Sequence, residues 1–351
     1  MMVGNLVGGR YRIKKLLKQG GMGGVYIADD VRNPGVEWAV KVALPGTGDE
    51  ARENFELAKQ EAEFLRELNH TAHPNILWFQ ESIVTSEVQL VMELVKGKEL
   101  QDVLDLNPGR GMPSREVILL AIQIAGAIAC LHRRREGPVI YRDLKPGNVM
   151  VDANGVAKLV DYGIARRAEA WKRKDTIRLG TPAYAPPELI HGNLGQSSTD
   201  TDVYSFGATL YCLLTGVAPT PIETPPIGSV SARNSSVTRR LEGLIIRAMA
   251  QERSHRIQTM DVVDTELRAC AQEIGLTIPA PIRTCPYCKT ANRVAAAFCR
   301  TCGRGQVRFP SVAVSAPPLN QVGTPTVTKC GQCGIAQRPG ARFCHMCGRR
   351  V

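Results

Sequence analysis

Four Cys-x-x-Cys pairs crowd into the last 67 residues. Cys285 with Cys288 and Cys299 with Cys302 form one set, Cys330 with Cys333 and Cys344 with Cys347 the other; ten residues separate the pairs of each set, and the sets are offset by 45. A module of about 20 residues buries too little surface to fold unaided, and two such knuckles bring four thiolates to one tetrahedral Zn²⁺. The spacing therefore predicts two Zn²⁺ per chain. A disulfide framework is the alternative in an oxidising compartment. The opening MMVGNLVGGRYRIKK lacks the apolar stretch of a secretory leader, and the most apolar run, Val117 to Leu131, is interrupted by Gln123 and falls short of a bilayer span. We accordingly expect a cytoplasmic chain without a transmembrane segment, which favours metal over disulfides. His345, between two ligands, is expected to be exposed. Cys130, Cys212 and Cys270 lie apart in apolar or amphipathic helical patterns and read as core thiols.

Charge divides at the same place. Of the 44 Lys and Arg in the 351 residues, 11 lie in 281–351, which has no Asp or Glu, leaving 33 basic against 33 acidic residues in 1–280. The whole net charge of +11 thus belongs to the tail, and two Zn(Cys)4 centres would lower it to about +7. The alternatives for such a basic tail are a protein partner, an intramolecular contact or nucleic acid. Its aromatics, Tyr287, Phe298, Phe309 and Phe343, are too few for a nucleic-acid stacking platform, so protein docking or autoregulation is the favoured reading.

Ahead of the tail, short strand-like stretches come first (Tyr11–Leu17, Val25–Asp29, Glu37–Val42, Val88–Leu94), with a helix over 52–69 among them. After Pro113 the pattern turns helical, over Val117–His132, Asp202–Leu214 and Arg239–Ala250. The chain divides into an extension (1–10), a large domain (11–272), a linker (273–284), a first cysteine module (285–304), a Pro-rich linker (305–329) and a second module (330–351).

Three motifs in the large domain carry chemistry. In LKQGGMGGVY, Gly20 and Gly23 sit between strands where backbone amides can approach phosphate oxygens. The strand Trp38-Ala39-Val40-Lys41 ends in a point charge that needs an acidic partner. On the following helix Glu61 shares its face with Leu57, Phe64, Leu65 and Leu68, whereas Glu63 keeps company with Lys59, Arg66 and Glu67. Glu61 is therefore the expected partner of Lys41, and Glu63 a solvated residue. Third, Tyr141-Arg142-Asp143-Leu144-Lys145-Pro146-Gly147-Asn148 precedes Asp161-Tyr162-Gly163 and then Gly180 to Glu188, GTPAYAPPE.

Taken in order, these motifs resemble those of the bacterial Hanks-type (eukaryotic-like) serine/threonine protein kinases over about Tyr11 to Ala271, and the cysteine repeats resemble tandem zinc ribbons. The resemblance implies an α+β, two-lobed protein kinase fold with a β-rich N-lobe and a helical C-lobe, followed by two zinc-ribbon modules. It implies transfer of the γ-phosphoryl group of ATP to Ser/Thr hydroxyls of protein substrates, with Mg²⁺ or Mn²⁺. Asp143 would accept the hydroxyl proton, Lys145 would contact the γ-phosphate, and Asn148 with Asp161 would hold the metal. Leu17, Gly20, Gly21, Gly23, Val25, Ala39, Lys41, Glu61, Met92, Glu93 and Val95 would form the nucleotide-binding set. Asp202 would tie down the Asp143 loop, and Glu188 would pair with Arg256.

The sequence also departs from that pattern. Lys18 replaces the first glycine of the loop, which bears on ATP affinity; Tyr141, Tyr162 and Pro186 replace the usual His, Phe and Ala; and Gly216 to Arg239 is Pro-rich where the family usually has another helix. Arg142 and six Arg and Lys between Asp161 and Glu188 should repel one another until an anion compensates, so Thr176 is the expected autophosphorylation site. Thr181 is a second candidate, better read as a structural hydroxyl near Asp143. The alternatives are a weakly active or inactive kinase-fold scaffold and a kinase recruited to nucleic acid by its basic tail. Retention of Lys41, Glu61, Asp143, Asn148 and Asp161 favours the active enzyme.

Overall fold

Period-two alternation builds the first sheet. In the computed structural model β1 (Leu6–Val7) leads into β2 (Tyr11–Gly20), where buried Tyr11 and Ile13 alternate with exposed Arg12 and Lys14. β3 (Gly23–Asp30), β4 (Glu37–Ala43), β5 (Phe79–Val84) and β6 (Val88–Glu93) complete a six-stranded antiparallel sheet of order β1-β2-β3-β4-β6-β5. α1 (Gly48–Leu68) follows β4 and packs against β4, β5 and β6. β5, with the sequence FQESIV, had no predicted counterpart. The description covers all residues except 1, 21–22, 44–47, 69–72, 163–165, 168–180, 192–195, 286, 289, 294–295, 297, 306–327, 331, 333–335, 338–341, 343–348 and 351, and excludes the side chains of 20, 43, 48–54, 57, 166–167, 191, 293, 328–329 and 336–337.

Two compact units make up the chain: a sheet unit of Met1–Pro74, Trp78–Leu94 and Ala280–Val351, and a helical unit of Asn75–Leu77 and Val95–Pro279. The sheet unit has a core of Val7, Tyr11, Ile13, Ala28, Val36, Trp38, Val40, Val42 and Val91.

The helical unit starts with β7 (Gly97–Glu99), α2 (Leu100–Asp105) and α3 (Ser114–His132). Among the described helices, α3 alone is long and apolar enough to cross a bilayer by length and composition. Its apolar residues go instead into the core of this unit, where it packs on later helices. β8 (Val139–Ile140), β9 (Val149–Asp152), β10 (Ala157–Leu159) and β11 (Arg166–Arg167) flank the Asp143 loop, β10-β9-β7 forming one small sheet and β8 pairing with β11. α4 (Pro187–His191), α5 (Thr199–Thr215), α6 (Ser229–Arg233), α7 (Arg239–Ala248) and α8 (Met260–Glu273) follow. α5 ends at Gly216, whose φ of 74° suits glycine and where a Cβ would lie 2.5 Å from the Arg110 backbone. α6 is the only helix between Gly216 and Arg239, in a stretch whose prolines leave room for little more.

The chain then returns to the sheet unit. β12 (Ile282–Thr284) pairs with β13 (Ala291–Arg293), so the last three residues read from sequence as linker are a paired strand of the first cysteine module. β14 (Thr328–Lys329) and β15 (Ala336–Gln337) form a second hairpin beside Cys330.

Candidate functional site

In the sheet unit the cross-strand register settles which side chains share a face. Val25 opposes Lys41, and Ala39 opposes Met92, so Val25, Ala39, Lys41 and Met92 lie on one face, with Trp38, Val40 and Val42 on the other. Lys41 Nζ donates to both carboxylate oxygens of Glu61, at 2.8 and 3.1 Å. The helical spacing that puts Glu61 on the face of buried Ala58, Leu65 and Leu68 leaves Glu63 exposed. The glycine hairpin closes with Gly20 opposite Gly23; Gly23 has φ 149°, and a Cβ on Gly24 would lie 2.9 Å from the Tyr26 ring. Gly21 lies outside the described residues. Lys18 and Leu17 are exposed on β2, and Lys18 opposes Val25. Glu93 is buried; its amide donates to Trp78 O at 2.8 Å, and its carboxylate accepts from Trp78 N at 3.3 Å.

In the helical unit Asp202, fully buried on α5, accepts from the amides of Tyr141 (2.8 Å) and Arg142 (2.7 Å) and lies 2.8 Å from His132 Nε2. These bonds hold a strained loop. Arg142 (φ 68°) and Asp161 (φ 67°) are two of three non-glycine residues with positive φ among the described residues. Asp143 Oδ2 accepts from Lys145 Nζ and from Asn148 Nδ2, both at 2.8 Å, and Asn148 Nδ2 also donates to Asp143 O at 2.8 Å. Lys145 Nζ further donates to Thr181 Oγ1 at 2.9 Å. Asp161 is exposed and Val95 half-buried. Glu188 and Arg256 form a bidentate pair at 2.7 and 3.1 Å. Thr176 lies outside the described residues.

Tyr141 and Tyr162 meet edge to face with ring centroids 5.4 Å apart. Each hydroxyl donates to a carbonyl, Tyr141 to Val160 O at 2.7 Å and Tyr162 to Leu159 O at 3.2 Å. Complete burial pushes the Tyr141 phenol well above its ordinary range, so it stays a neutral donor. Both hydroxyls thus clamp the segment leading to Asp161. The substitutions themselves were the signal for this role, since a buried phenol needs an acceptor.

The first cysteine module gathers Cys285, Cys288, Cys299 and Cys302 with all four sulfurs within 4.8 Å of one another. Cys285 and Cys302 are 3.9 Å apart, Cys288 and Cys299 3.4 Å. A tetrahedron with Zn–S bonds of about 2.3 Å has edges of about 3.8 Å, so the donor set fits Zn²⁺. Thr301 N and Asn292 Nδ2 point at Cys299 Sγ from 3.4 and 3.5 Å, the kind of outer-shell hydrogen bonding that orients a thiolate ligand. The hydrogen bond from Cys285, against burial and helped by the Cys302 and Thr301 amides, lowers the Cys299 thiol to about 4. Asn292 on β13, which bonds a cysteine sulfur, and Arg283, buried on β12 and bonded to Ala296 O, escaped the sequence reading, because neither spacing nor residue type marks them. Cys330 is buried beside β14, while Cys333, Cys344 and Cys347, with His345, lie outside the described residues. Cys212 and Cys270 are buried and Cys130 half-buried; burial raises all three thiols, Cys270 to about 11.

A lysine–glutamate pair behind a glycine hairpin and an aspartate–lysine–asparagine loop on a helical scaffold define the protein kinase class. The chain belongs to the protein kinase domain family, whose model matches residues 11–274. It is similar to the probable serine/threonine-protein kinase PknB of Bifidobacterium longum, with 31% identity over 288 residues, covering 75% of this chain and 40% of the relative. Serine/threonine-protein kinase PrkC of Bacillus subtilis is 29% identical over 290 residues, covering 76% and 41%. Serine/threonine-protein kinase PksC of Streptomyces coelicolor is 29% identical over 342 residues, covering 91% and 58%. The chain spans about two fifths of the length of the first two relatives.

Proposed function

We propose that this chain is a protein serine/threonine kinase that transfers the γ-phosphoryl group of ATP to Ser and Thr hydroxyls of proteins, itself included. The reading rests above all on Lys145 Nζ lying within 2.9 Å of both Asp143 Oδ2 and Thr181 Oγ1. The Thr181 hydroxyl helps to hold the Lys145 ammonium beside the Asp143 carboxylate, which supports the reading because a base and a cation side by side are what transfer to a substrate hydroxyl requires. Asp143 takes the proton as the acceptor oxygen bonds to the γ-phosphorus and the bond to ADP breaks. Lys145 balances charge on the transferred group, and Lys41, fixed by Glu61, holds the other phosphates. ATP supplies the phosphoryl group, and Mg²⁺ or Mn²⁺ supplies counter-charge. Asn148 and Asp161 would hold that metal through their side-chain oxygens, and the Asn148 Nδ2 bond to Asp143 fixes the amide beside the base.

Leu17, Gly20, Gly21, Gly23, Val25, Ala39, Met92, Glu93 and Val95 complete the nucleotide set, and Thr176 is the regulatory acceptor. The cysteine modules hold one Zn²⁺ each and serve protein docking or autoregulation. Incubation of the purified chain with γ-labelled ATP and Mg²⁺ or Mn²⁺, followed by phosphoamino-acid analysis, is expected to yield phosphothreonine or phosphoserine. Label confined to tyrosine, or none at all, would refute the proposal. Replacing Thr176 with Ala should remove autophosphorylation at that residue and lower activity toward added substrate.

A further inference from the structure

Trp38 belongs to β4, the strand that carries Lys41, but faces the opposite side of the sheet. It is only 1% exposed, and part of its cover comes from the far end of the chain. Tyr287, between Cys285 and Cys288, meets the Trp38 indole edge to face, with centroids 6.3 Å apart and planes at 88°. Tyr287 packs against the core cluster that contains Trp38, Val40 and Val42. Its ring also carries the guanidinium of Arg304, 4.5 Å from the centroid, from just beyond Cys302. The tyrosine is thus held between the sheet and its own module, inside a loop whose ends are two of the four gathered cysteines.

We propose that the back face of the kinase sheet is an intramolecular docking surface for the first cysteine module. Tyr287 is a positioning residue that acts through Trp38 on the strand of Lys41, and it does so only while the four cysteines hold metal. The inference rests on the zinc and kinase readings above. Lys41 lies three residues from Trp38, about 10 Å along the strand. β4 is central, hydrogen-bonded to β3 and β6, so a load on its back face reaches the Lys41 ammonium through backbone and not through a side-chain chain of contacts. A loop of this size holds no fixed shape without its metal. Loss of metal therefore releases Tyr287, uncovers Trp38 and loosens the sheet behind the phosphate-holding lysine.

The test uses the full chain with measured zinc content, with the Trp38 emission isolated by comparison with Trp38→Phe. Tyr287→Ala, which alters no ligand, is expected to keep the wild-type zinc content, to red-shift the Trp38 emission and to raise the KM for ATP roughly two- to tenfold, the span of one aromatic pair's specific contribution. The effect on kcat should be smaller. Tyr287→Phe should restore wild-type emission and KM, since the contact is made by the ring. Chelation of the wild type should reproduce the Tyr287→Ala emission, and chelation of Tyr287→Ala should shift it no further. Unchanged Trp38 emission in zinc-loaded Tyr287→Ala or in the chelated wild type would overturn the proposal, as would failure of the first module to take up zinc. A wild type that transfers no phosphate would remove the kinase reading, and the emission and zinc measurements would then decide the docking alone.

Discussion

Arg256 offers the sharpest stability test, because its guanidinium is fully enclosed. It donates to Glu188 Oε1 and Oε2 at 2.7 and 3.1 Å, to Asp200 Oδ2 and O at 3.3 and 3.2 Å, and to the carbonyls of Ala250 and Gln251 at 3.0 and 3.4 Å. The side chains of Arg256 and Glu188 are 0% and 1% exposed. Arg256→Met removes every one of these donors and, among the described residues, leaves the buried Glu188 carboxylate with the Thr201 hydroxyl, at 3.1 Å, as its side-chain donor. Breaking a buried pair from one side costs about 3–5 kcal/mol. For a unit of this size that corresponds to a fall in Tm of roughly 6–20 °C. Thermal unfolding followed by near-ultraviolet circular dichroism measures the loss, and a double-mutant cycle with Glu188→Leu isolates the pair, because the double variant should lose far less than the two singles together. Activity of Arg256→Met should track its folded fraction. A fall of less than about 1 kcal/mol, or strictly additive losses, would show that the enclosed charge pair does not carry this part of the fold.

Lys41→Met should lower phosphoryl transfer by about 10²–10³-fold with little loss of stability, and Glu61→Gln by less, measured as initial rates at saturating ATP. Asp202→Asn removes the carboxylate that accepts from the Tyr141 and Arg142 amides, so it should slow transfer while ATP affinity, read by calorimetry, stays near wild type. Cys299→Ser should cost one equivalent of zinc per chain and make the 282–305 segment sensitive to limited proteolysis. Burial opposes ionisation of Asp30, but hydrogen bonds from Arg10, Asn33 and Arg32 outweigh it and hold the carboxyl well below its usual range. Its contribution to stability should therefore be complete above about pH 4 and be lost as the pH falls further, so Asp30→Asn should flatten the stability profile there, measured by urea unfolding.

Much of the site could be read from local pattern. Glu61 was separable from Glu63 because a helical face is written in i+3 and i+4 spacing, and the Asp143 loop because its residues are contiguous. β5 was missed because FQESIV mixes polar residues into a half-buried strand, and β12 because a three-residue strand in a Pro-containing stretch gives no periodic signal. The Tyr287–Trp38 contact joins residues almost 250 positions apart, and no spacing encodes it. His132 at the end of α3 likewise reaches Asp202 only through the packing of α3 on α5.

The most direct test of the kinase reading is the rate of γ-phosphate transfer to a Ser- or Thr-containing protein by the wild type and by Asp143→Asn at matched ATP occupancy. Steady transfer by the wild type and a loss of about 10²–10⁴-fold in the variant, with ATP binding unchanged, is the expected result. Equal rates in the two proteins, or bound ATP with no transfer by either, would contradict it.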